Sequence, residues 1–420
     1  MNYKIFIKFL SYLWLGGIAS AFFAFITQVV LARHMSIPEF GMFNSGVILM
    51  VIISTIYGFG TDAALLKVFG KSYKYGLSYT RPLIVYLIFS AIALTCISFV
   101  YIYILFPNDY SLNAYKLIPT FIAISLLNVK FSILQIEKRF EYLSFCQILL
   151  NGSRLLFVII YFLLEKDLTS GIYNIFFYSS ILLIVFCIPD LMSLINKSKK
   201  IPQKNLISFI LMILPFGIIT STFAIYSQSI IIITNSLLSK EVAGYLSVAL
   251  NIMLAIYILP VVVYQKILLP MFHRQAFHDE NKLLHNYQEG CKYMLLIGMI
   301  IFTFIFFFSE KLIILIFGIE YKEAAYIVKY ISFCIPLRFL SSNAGAILST
   351  KNLVYKKMFS TVLLSVIAVI TSYYLLKTFN LKGVILSILL NEVLMFILYF
   401  YMLWKYSFGN NTFKNWLSIK

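Results

Sequence analysis

The chain has 420 residues, of which 61% are hydrophobic and only 12% charged, about half the charged share of a soluble domain. A mean hydropathy of +0.91 leaves no room for a large water-facing domain and excludes a soluble enzyme, a disordered chain and a globular nucleic-acid binder. The net charge of +18, from 34 Lys and Arg against 16 Asp and Glu, would point to nucleic acid in a soluble protein, whereas in a membrane chain its distribution among the loops sets orientation.

A spanning helix takes about 20 apolar residues. Twelve spans are predicted, at 9–32, 42–66, 82–106, 115–136, 142–164, 170–192, 206–235, 242–265, 293–309, 324–349, 358–376 and 384–404. Runs of this length are helical, since a strand-built barrel shows short alternating segments. Lys4 and Lys8 precede the first run, and Ala19-Ser20-Ala21 imitates a signal-peptidase site. The apolar stretch continues to Ala32, beyond a signal h-region of roughly 7–15 residues, so a retained span is expected.

Starting from a cytoplasmic N-terminus, 22 basic residues fall on the cytoplasmic side and 8 on the other, the remaining four lying inside spans. That asymmetry predicts both termini in the cytoplasm. The loop 266–292 carries His273, His278 and His285, expected on a solvated amphipathic helix. No HExxH is present, and the five scattered cysteines form no CxxC pair, so no metal site or disulfide framework is expected. Gly70-Lys71-Ser72 imitates the end of a phosphate loop, but the earlier glycine is replaced by Leu65. No nucleotide site and no cofactor are expected.

The two halves repeat. SAFFAFITQVVL (20–31) aligns with TSTFAIYSQSII (220–231), so that Phe23, Ala24 and Gln28 recur as Phe223, Ala224 and Gln228. PEFGMF recurs loosely as EVAGYL, pairing Gly41 with Gly244. LFPNDYSLNAY (105–115) aligns with IFGIEYKEAAY (316–326), and Gly171 and Gly383 open the last span of each half. Six spans per half give parallel repeats, with a pseudo-two-fold axis along the membrane normal and a substrate path between the lobes. The expected organisation is an all-α membrane protein: an N-terminal lobe at 1–195, a lysine-rich cytoplasmic linker at 196–205 and a C-terminal lobe at 206–420.

These features resemble the bacterial O-antigen and oligosaccharide flippases (Wzx-type), members of the superfamily that also holds multidrug extruders and lipid II flippases. The local carriers are VVLARHMSIPEFGMF (29–43), LLSKEVAGYLSVAL (237–250), LIFGIEYKEAAYIV (315–328) and FNLKGVILS (379–387). The resemblance implies transport of an undecaprenyl-pyrophosphate-linked oligosaccharide, an O-antigen or capsule unit, across the bacterial inner membrane, alongside membrane lipid, a polysaccharide polymerase and a chain-length regulator. It implies no enzymatic activity and no nucleic-acid partner. Relatives often carry an Asp in span seven; here IYSQSIIII places Gln228 there. A multidrug or small-molecule extruder is the alternative within the class. A polysaccharide polymerase or lipid-sugar transferase is the alternative outside it, against which the short outer loop near 310–323 argues.

Six ionisable residues are placed within spans: Asp62, Lys130, Arg154, Lys329, Arg338 and Glu392. A charge at the bilayer centre costs at least about 2.5–3.5 kcal/mol on insertion scales and faces a cavity or a partner. Arg154 shares a polar stripe with Ser144, Gln147 and Asn151; Arg338 shares a longer one with Cys334, Ser341, Ser342, Gly345 and Ser349. A guanidinium stays charged when buried and grips a diphosphate in two-pronged fashion. The substrate-binding candidates are therefore Arg154, Arg338 and Lys130, although Lys130 points away from the span-four stripe of Ser125, Asn128, Ser132 and Gln135. Asp62, on a face with Asn44, Thr55 and Gly58, and Glu392 are the ion-coupling candidates. Structural ion pairing is the alternative for each, Lys67 being the candidate partner of Asp62 and an arginine that of Glu392. Lys329 is expected at the interface, and Pro215, Pro260 and Pro336 are expected as kinks within spans.

Orientation is open to direct test. In a chain freed of its native cysteines, single cysteines replacing Asn108 or Ser239 should label from outside the cell. Cysteines replacing Ser198 or Ser407 should label only after permeabilisation. Reversed labelling at either pair would sink the twelve-span topology.

Overall fold

The apolar runs become helices throughout the computed structural model, which describes residues 3–105, 113–164, 168–350 and 353–414, with no strand among them. In chain order they are α1 (Tyr3–His34), α2 (Ile37–Gly58), α3 (Thr61–Lys71), α4 (Tyr73–Leu77), α5 (Thr80–Leu105), α6 (Pro119–Ile136), α7 (Phe140–Leu163), α8 (Leu168–Ser198) and α9 (Leu206–Leu237). There follow α10 (Lys240–Val261), a wide turn (Val262–Leu268), α11 (Leu269–His278), α12 (Glu280–Phe317), α13 (Lys322–Ile331), α14 (Cys334–Ile347) and α15 (Leu353–Leu403).

Ten stretches are long and apolar enough to cross a membrane, and α13 with α14, bent by 54° at a short break, makes an eleventh. Asn380 has non-helical backbone (φ 49°, ψ −126°) inside α15 and divides it into two parts. Each part exceeds the ~20 residues that a span requires, which brings the described residues to the twelve spans expected. The loop 105–115 lies largely outside the described residues, including Phe106 and Tyr110 of the repeat.

The repeat motifs have a local cause. In SIPEF, Ser36 donates through its N–H and Oγ to Glu39 Oε2, at 3.2 and 2.6 Å, and Pro38 stands where a helix start needs no amide hydrogen. In SKEVAG, Ser239 Oγ accepts from Val242 N at 3.2 Å. Each motif is thus the capped start of a second span, and Gly41 and Gly244 are buried just inside it. At Gly383 a Cβ would run into the Leu375 carbonyl, and at Gly171 into the Tyr161 ring. Both glycines let the last span of a half close onto the end of the preceding one.

Contacts divide the chain into two compact units, 1–228 and 229–420. In the first, α1 packs along α7, while α2 and α3 pack on α6 and α6 on α8. The hydrophobic windows of α2–α3 and of α6 are 72% buried, against 17% for that of α4–α5, so α2 and α6 form the interior and α5 the lipid face. Ile88, Phe89, Ile92 and Tyr103 on α5 are exposed accordingly. The division falls inside α9 because Ser221 Oγ on its first part donates to the Thr55 carbonyl at 3.1 Å and Gly217 receives the Phe59 ring. In the second unit α14 packs on α12 and α15, and α10 packs on α13 and α14. Phe304 and Phe307 on α12 and Phe359 and Val366 on α15 are exposed.

Two breaks change how the sequence is read. Span two was expected to be one helix over 42–66; instead Phe59 and Gly60 both take left-handed backbone (φ 38° and 72°) and α3 starts anew. Carbonyls flanking the break take hydroxyl donors as well: Ser125 Oγ donates to Ser54 O at 2.6 Å, Ser221 Oγ to Thr55 O, Tyr86 Oη to Ile56 O at 3.4 Å, and Ser132 Oγ to Asp62 O at 3.0 Å. Irregular backbone at membrane depth survives only with such partners. The span-four stripe thus serves the break.

At the second break, Pro336 lies in the first turn of α14. It has no N–H to donate to the Ser332 carbonyl four residues back, and its ring crowds that carbonyl, so the helix restarts and does not merely kink. Pro215 and Pro260 do lie inside helices, as does Pro189 of α8. The cytoplasmic loop also differs from expectation: α12 begins at Glu280, so His285 belongs to the long helix, while α11 is amphipathic, burying Phe272 and Ala276 and exposing His273 and Arg274.

The Phe59–Gly60 break predicts a sharp glycine dependence. A Cβ on Gly60 would lie 2.6 Å from Gly217 N at a left-handed φ. Gly60→Val should destabilise by ~2–5 kcal/mol from backbone strain and overpacking. Gly70→Ala, where nothing lies within 4 Å of the new atom, should leave the thermal midpoint of the detergent-purified protein unchanged or slightly raised. Equal midpoints for the two variants would refute the reading.

Candidate functional site

Among the described residues, four cations turn into the helix packing, Lys130 and Arg154 buried and Arg338 and Lys357 partly so, and the structure treats each differently. Arg154 of α7 is 7% exposed. Its stripe faces α1, where Asn151 Nδ2 donates to Ser20 Oγ at 3.1 Å and a Cβ on Gly16 would touch Ser144 Oγ. The guanidinium carbon lies 4.4 Å from the centre of the Phe176 ring of α8. Its Nε and Nη2, and Oε1 of Gln147 one turn before Asn151, are buried with no hydrogen-bond partner among the described residues. No ion pair of Arg154 with a described carboxylate exists. A ring face offers a desolvated cation about 2 kcal/mol, less than several kcal/mol of desolvation. Among the described residues the site therefore holds a positive charge without an acid beside it and two donors without an acceptor.

Arg338 of α14 is compensated. Its Nη1 donates to Glu392 Oε1 of α15 at 3.0 Å, the two side chains being 14% and 10% exposed. The guanidinium lies 5.3 Å from the Tyr257 ring centre of α10, and Nη1 is 3.5 Å from Met395 Sδ. Beside Glu392 in sequence, Asn391 accepts from Thr371 Oγ1 at 3.1 Å and donates to Ser387 Oγ at 3.3 Å, and Ser387 meets Ser372 Oγ at 2.8 Å. These bonds tie the two parts of α15 together in one register. The structure brings these two sequence-predicted residues into a single pair, the alternative that the sequence left open for Glu392.

Lys130 of α6 is 2% exposed and sits 2.8 Å from Asp190 Oδ2 of α8, with its ammonium also donating to the Phe186 carbonyl at 2.8 Å. Phe186 and Tyr142 place their rings 3.4 and 5.4 Å from it. It reaches neither the span-four stripe nor the membrane surface. Asp190 was missed by the sequence reading; its signal was an acid directly after Pro189 in an otherwise apolar run.

Asp62 does not share a face with Asn44, Thr55 and Gly58, because the break at Phe59–Gly60 separates them. It lies half-buried in the first turn of α3, where the helix dipole favours a carboxylate. Lys67, its expected partner, lies over the Phe216 ring at 5.4 Å. Lys329 is half-buried against the Phe306 ring at 4.9 Å.

Lys357 falls in the loop before the predicted span 358–376, yet its ammonium turns inward to the end of α14, donating to Gly345 O at 2.8 Å and Ser349 Oγ at 2.7 Å. A cation suits a helix C-terminus. The signal was the polar face that continues from it through Thr361, Ser365 and Ser372, all buried. Among the described residues no group of three metal-ligating side chains is found.

Comparison with known proteins follows the same lines. The family model described as polysaccharide biosynthesis protein matches residues 30–326. Among solved structures, the lipid II flippase MurJ in its inward closed conformation superposes with a TM-score of 0.74 at 15% identity, over 96% of this chain and 90% of that one. An inward-facing multidrug resistance MATE family transporter of the MOP superfamily superposes with a TM-score of 0.66 at 16% identity, over 91% and 92%. Its outward-facing counterpart gives 0.65 at 16%, over 95% and 94%. No curated protein matches the chain. At these identities the structural likeness concerns the fold.

The Lys130–Asp190 pair predicts a rescue. Lys130→Met leaves a buried carboxylate alone and should cost about 3–5 kcal/mol, read as loss of folded protein from the membrane. Lys130→Met with Asp190→Leu should recover most of it. Failure of the double variant to recover would assign Lys130 a role outside the pair.

Proposed function

The chain belongs to the polysaccharide biosynthesis protein family, and on that premise we propose that it is a secondary transporter flipping an undecaprenyl-pyrophosphate-linked oligosaccharide, of the O-antigen or capsule type, by alternating access. The fold supports a transporter rather than an enzyme, since its structural neighbours are a flippase and extruders. The setting proposed is the bacterial inner membrane with both termini cytoplasmic, in accord with the 22-to-8 distribution of basic residues. A polysaccharide polymerase and a chain-length regulator are the proposed protein partners.

The observation that carries the reading is the Arg154 site. A guanidinium remains protonated when buried, so its charge persists in the apolar interior. Two N–H donors without an acceptor fit a ligand that is anionic, oxygen-rich and able to take a forked contact, which describes a diphosphate. An extruder of cationic drugs is the second reading, supported by the multidrug transporters among the neighbours. It would call for an uncompensated acid in that position, where this chain has an arginine.

Two experiments test the proposal. Loss of the chain should leave unpolymerised lipid-linked units inside the cell; mature polymer lacking surface display would redirect the function. Arg154→Gln should abolish export with near-normal protein in the membrane, and Arg154→Lys should restore it only partly, since a point charge cannot fork. Normal export by Arg154→Gln would remove Arg154 from substrate binding.

A further inference from the structure

We propose that Glu392 competes with the substrate's diphosphate for Arg338 and releases it on taking up one proton, so that anion binding at Arg338 and proton binding at Glu392 are linked. The inference rests on the reading above that the substrate carries a diphosphate. In the structure the arginine and the glutamate meet at one 3.0 Å contact, Nη1 to Oε1, with both side chains largely withdrawn from solvent. An anion that takes hold of Arg338 arrives beside an ionised carboxylate in a poorly polarisable surrounding, where like charges repel strongly.

The helix that carries the carboxylate is held in register by Thr371–Asn391, Asn391–Ser387 and Ser387–Ser372 contacts. Removing the charge releases the guanidinium without disturbing that register. The step balances simply: the carboxylate accepts one proton from water, becomes a neutral carboxylic acid, and the guanidinium exchanges its carboxylate for a phosphate oxygen.

The groups that face the pair bear this out. From α14 come Arg338 itself and Cys334, and from Glu392's own helix Tyr399, both of which lie within electrostatic reach of Arg338 and Glu392. From α10 Tyr257 lies against the guanidinium, and the first part of α15 presents Thr371 to Asn391. Lys329 of α13 is turned onto Phe306 of α12. Arg338 is the cation facing Glu392. Arg154, which has no carboxylate to displace, should bind anion without this proton.

The test uses the purified full-length protein in detergent with a short-chain, soluble prenyl diphosphate as probe. Calorimetric titration in buffers of different ionisation enthalpy measures the protons taken up per probe bound. The wild type should take up close to one proton more than Glu392→Gln, in which the probe's own protonation alone remains. Glu392→Gln should bind at least tenfold tighter than wild type at pH 8 and lose the extra tightening on acidification, which in the wild type approaches tenfold per pH unit. Arg154→Gln should weaken binding and keep the extra proton. If Glu392→Gln does not fold, the wild-type uptake is compared with that of the free probe's own titration. Binding with equal uptake in wild type and Glu392→Gln, or weaker binding by Glu392→Gln, overturns the linkage alone. Absence of any probe binding by the wild type overturns the diphosphate reading with it.

Discussion

A hydrocarbon surrounding supplies no hydrogen bonds and no dielectric screening, so every interrupted helix and every charge inside a span must find its partner within the protein. Much of the polar sequence in these helices answers that demand. Around the left-handed pair Phe59–Gly60, hydroxyls of Ser125, Ser132 and Ser221 reach carbonyls on either side of the break. Each such hydroxyl bond contributes only about 1 kcal/mol net, whereas an unmet polar group in lipid costs several. The serines therefore pin the broken helix to its neighbours. The Thr371–Asn391 and Ser372–Ser387 bonds meet the same demand across the Asn380 turn.

The same constraint sorts the cations. Lys130 has an acid at 2.8 Å and two aromatic rings, Arg338 has an acid at 3.0 Å, and Lys357 has a helix C-terminus. Arg154 has one ring face. Pairing brings back roughly what burial costs, so Lys130 and Arg338 are close to compensated in the folded state, while the helix C-terminus offsets only part of the cost for Lys357. Arg154 is left with a deficit of several kcal/mol that packing elsewhere must offset. A chain can carry such a deficit at the place where its ligand supplies the missing charge.

Much of this could be read from residues alone. Span number, the capped starts at Ser36 and Ser239, and the burial of Arg154, Arg338 and Glu392 follow from hydropathy, cap chemistry and helical phase. The breaks do not. Hydropathy is blind to a change of φ at Phe59, since an apolar residue in left-handed backbone is as apolar as before, and helical phase carried across that point put Asp62 on the wrong face. Partners were also hidden. The phase of α6 indicated that Lys130 leaves the polar stripe, but not that Asp190, 60 residues on in sequence, would be waiting across the helix interface. Lys357 was read as a loop charge because positive-inside counting gives no weight to where an ammonium points.

The two arginines exchange rank for a reason that applies beyond this chain. A long polar stripe such as that of Arg338 looks like a lined cavity in sequence, but the hydroxyls of a stripe can be consumed internally. Ser342 Oγ returns to the Arg338 carbonyl at 2.8 Å and Ser349 Oγ to that of Gly345 at 2.8 Å, the back-bonding open to any serine in a helix. The length of a stripe therefore measures how polar a helix face is, and the availability of a charge depends on what stands opposite. Opposite Arg338 stands Glu392; opposite Arg154 stands the face of Phe176. A neutral ring cannot be displaced by a proton or outcompeted by an anion, whereas a carboxylate can. On the proposed reading the two arginines differ in kind: the charge of Arg154 is ready at all times, and that of Arg338 is conditional on a second ion.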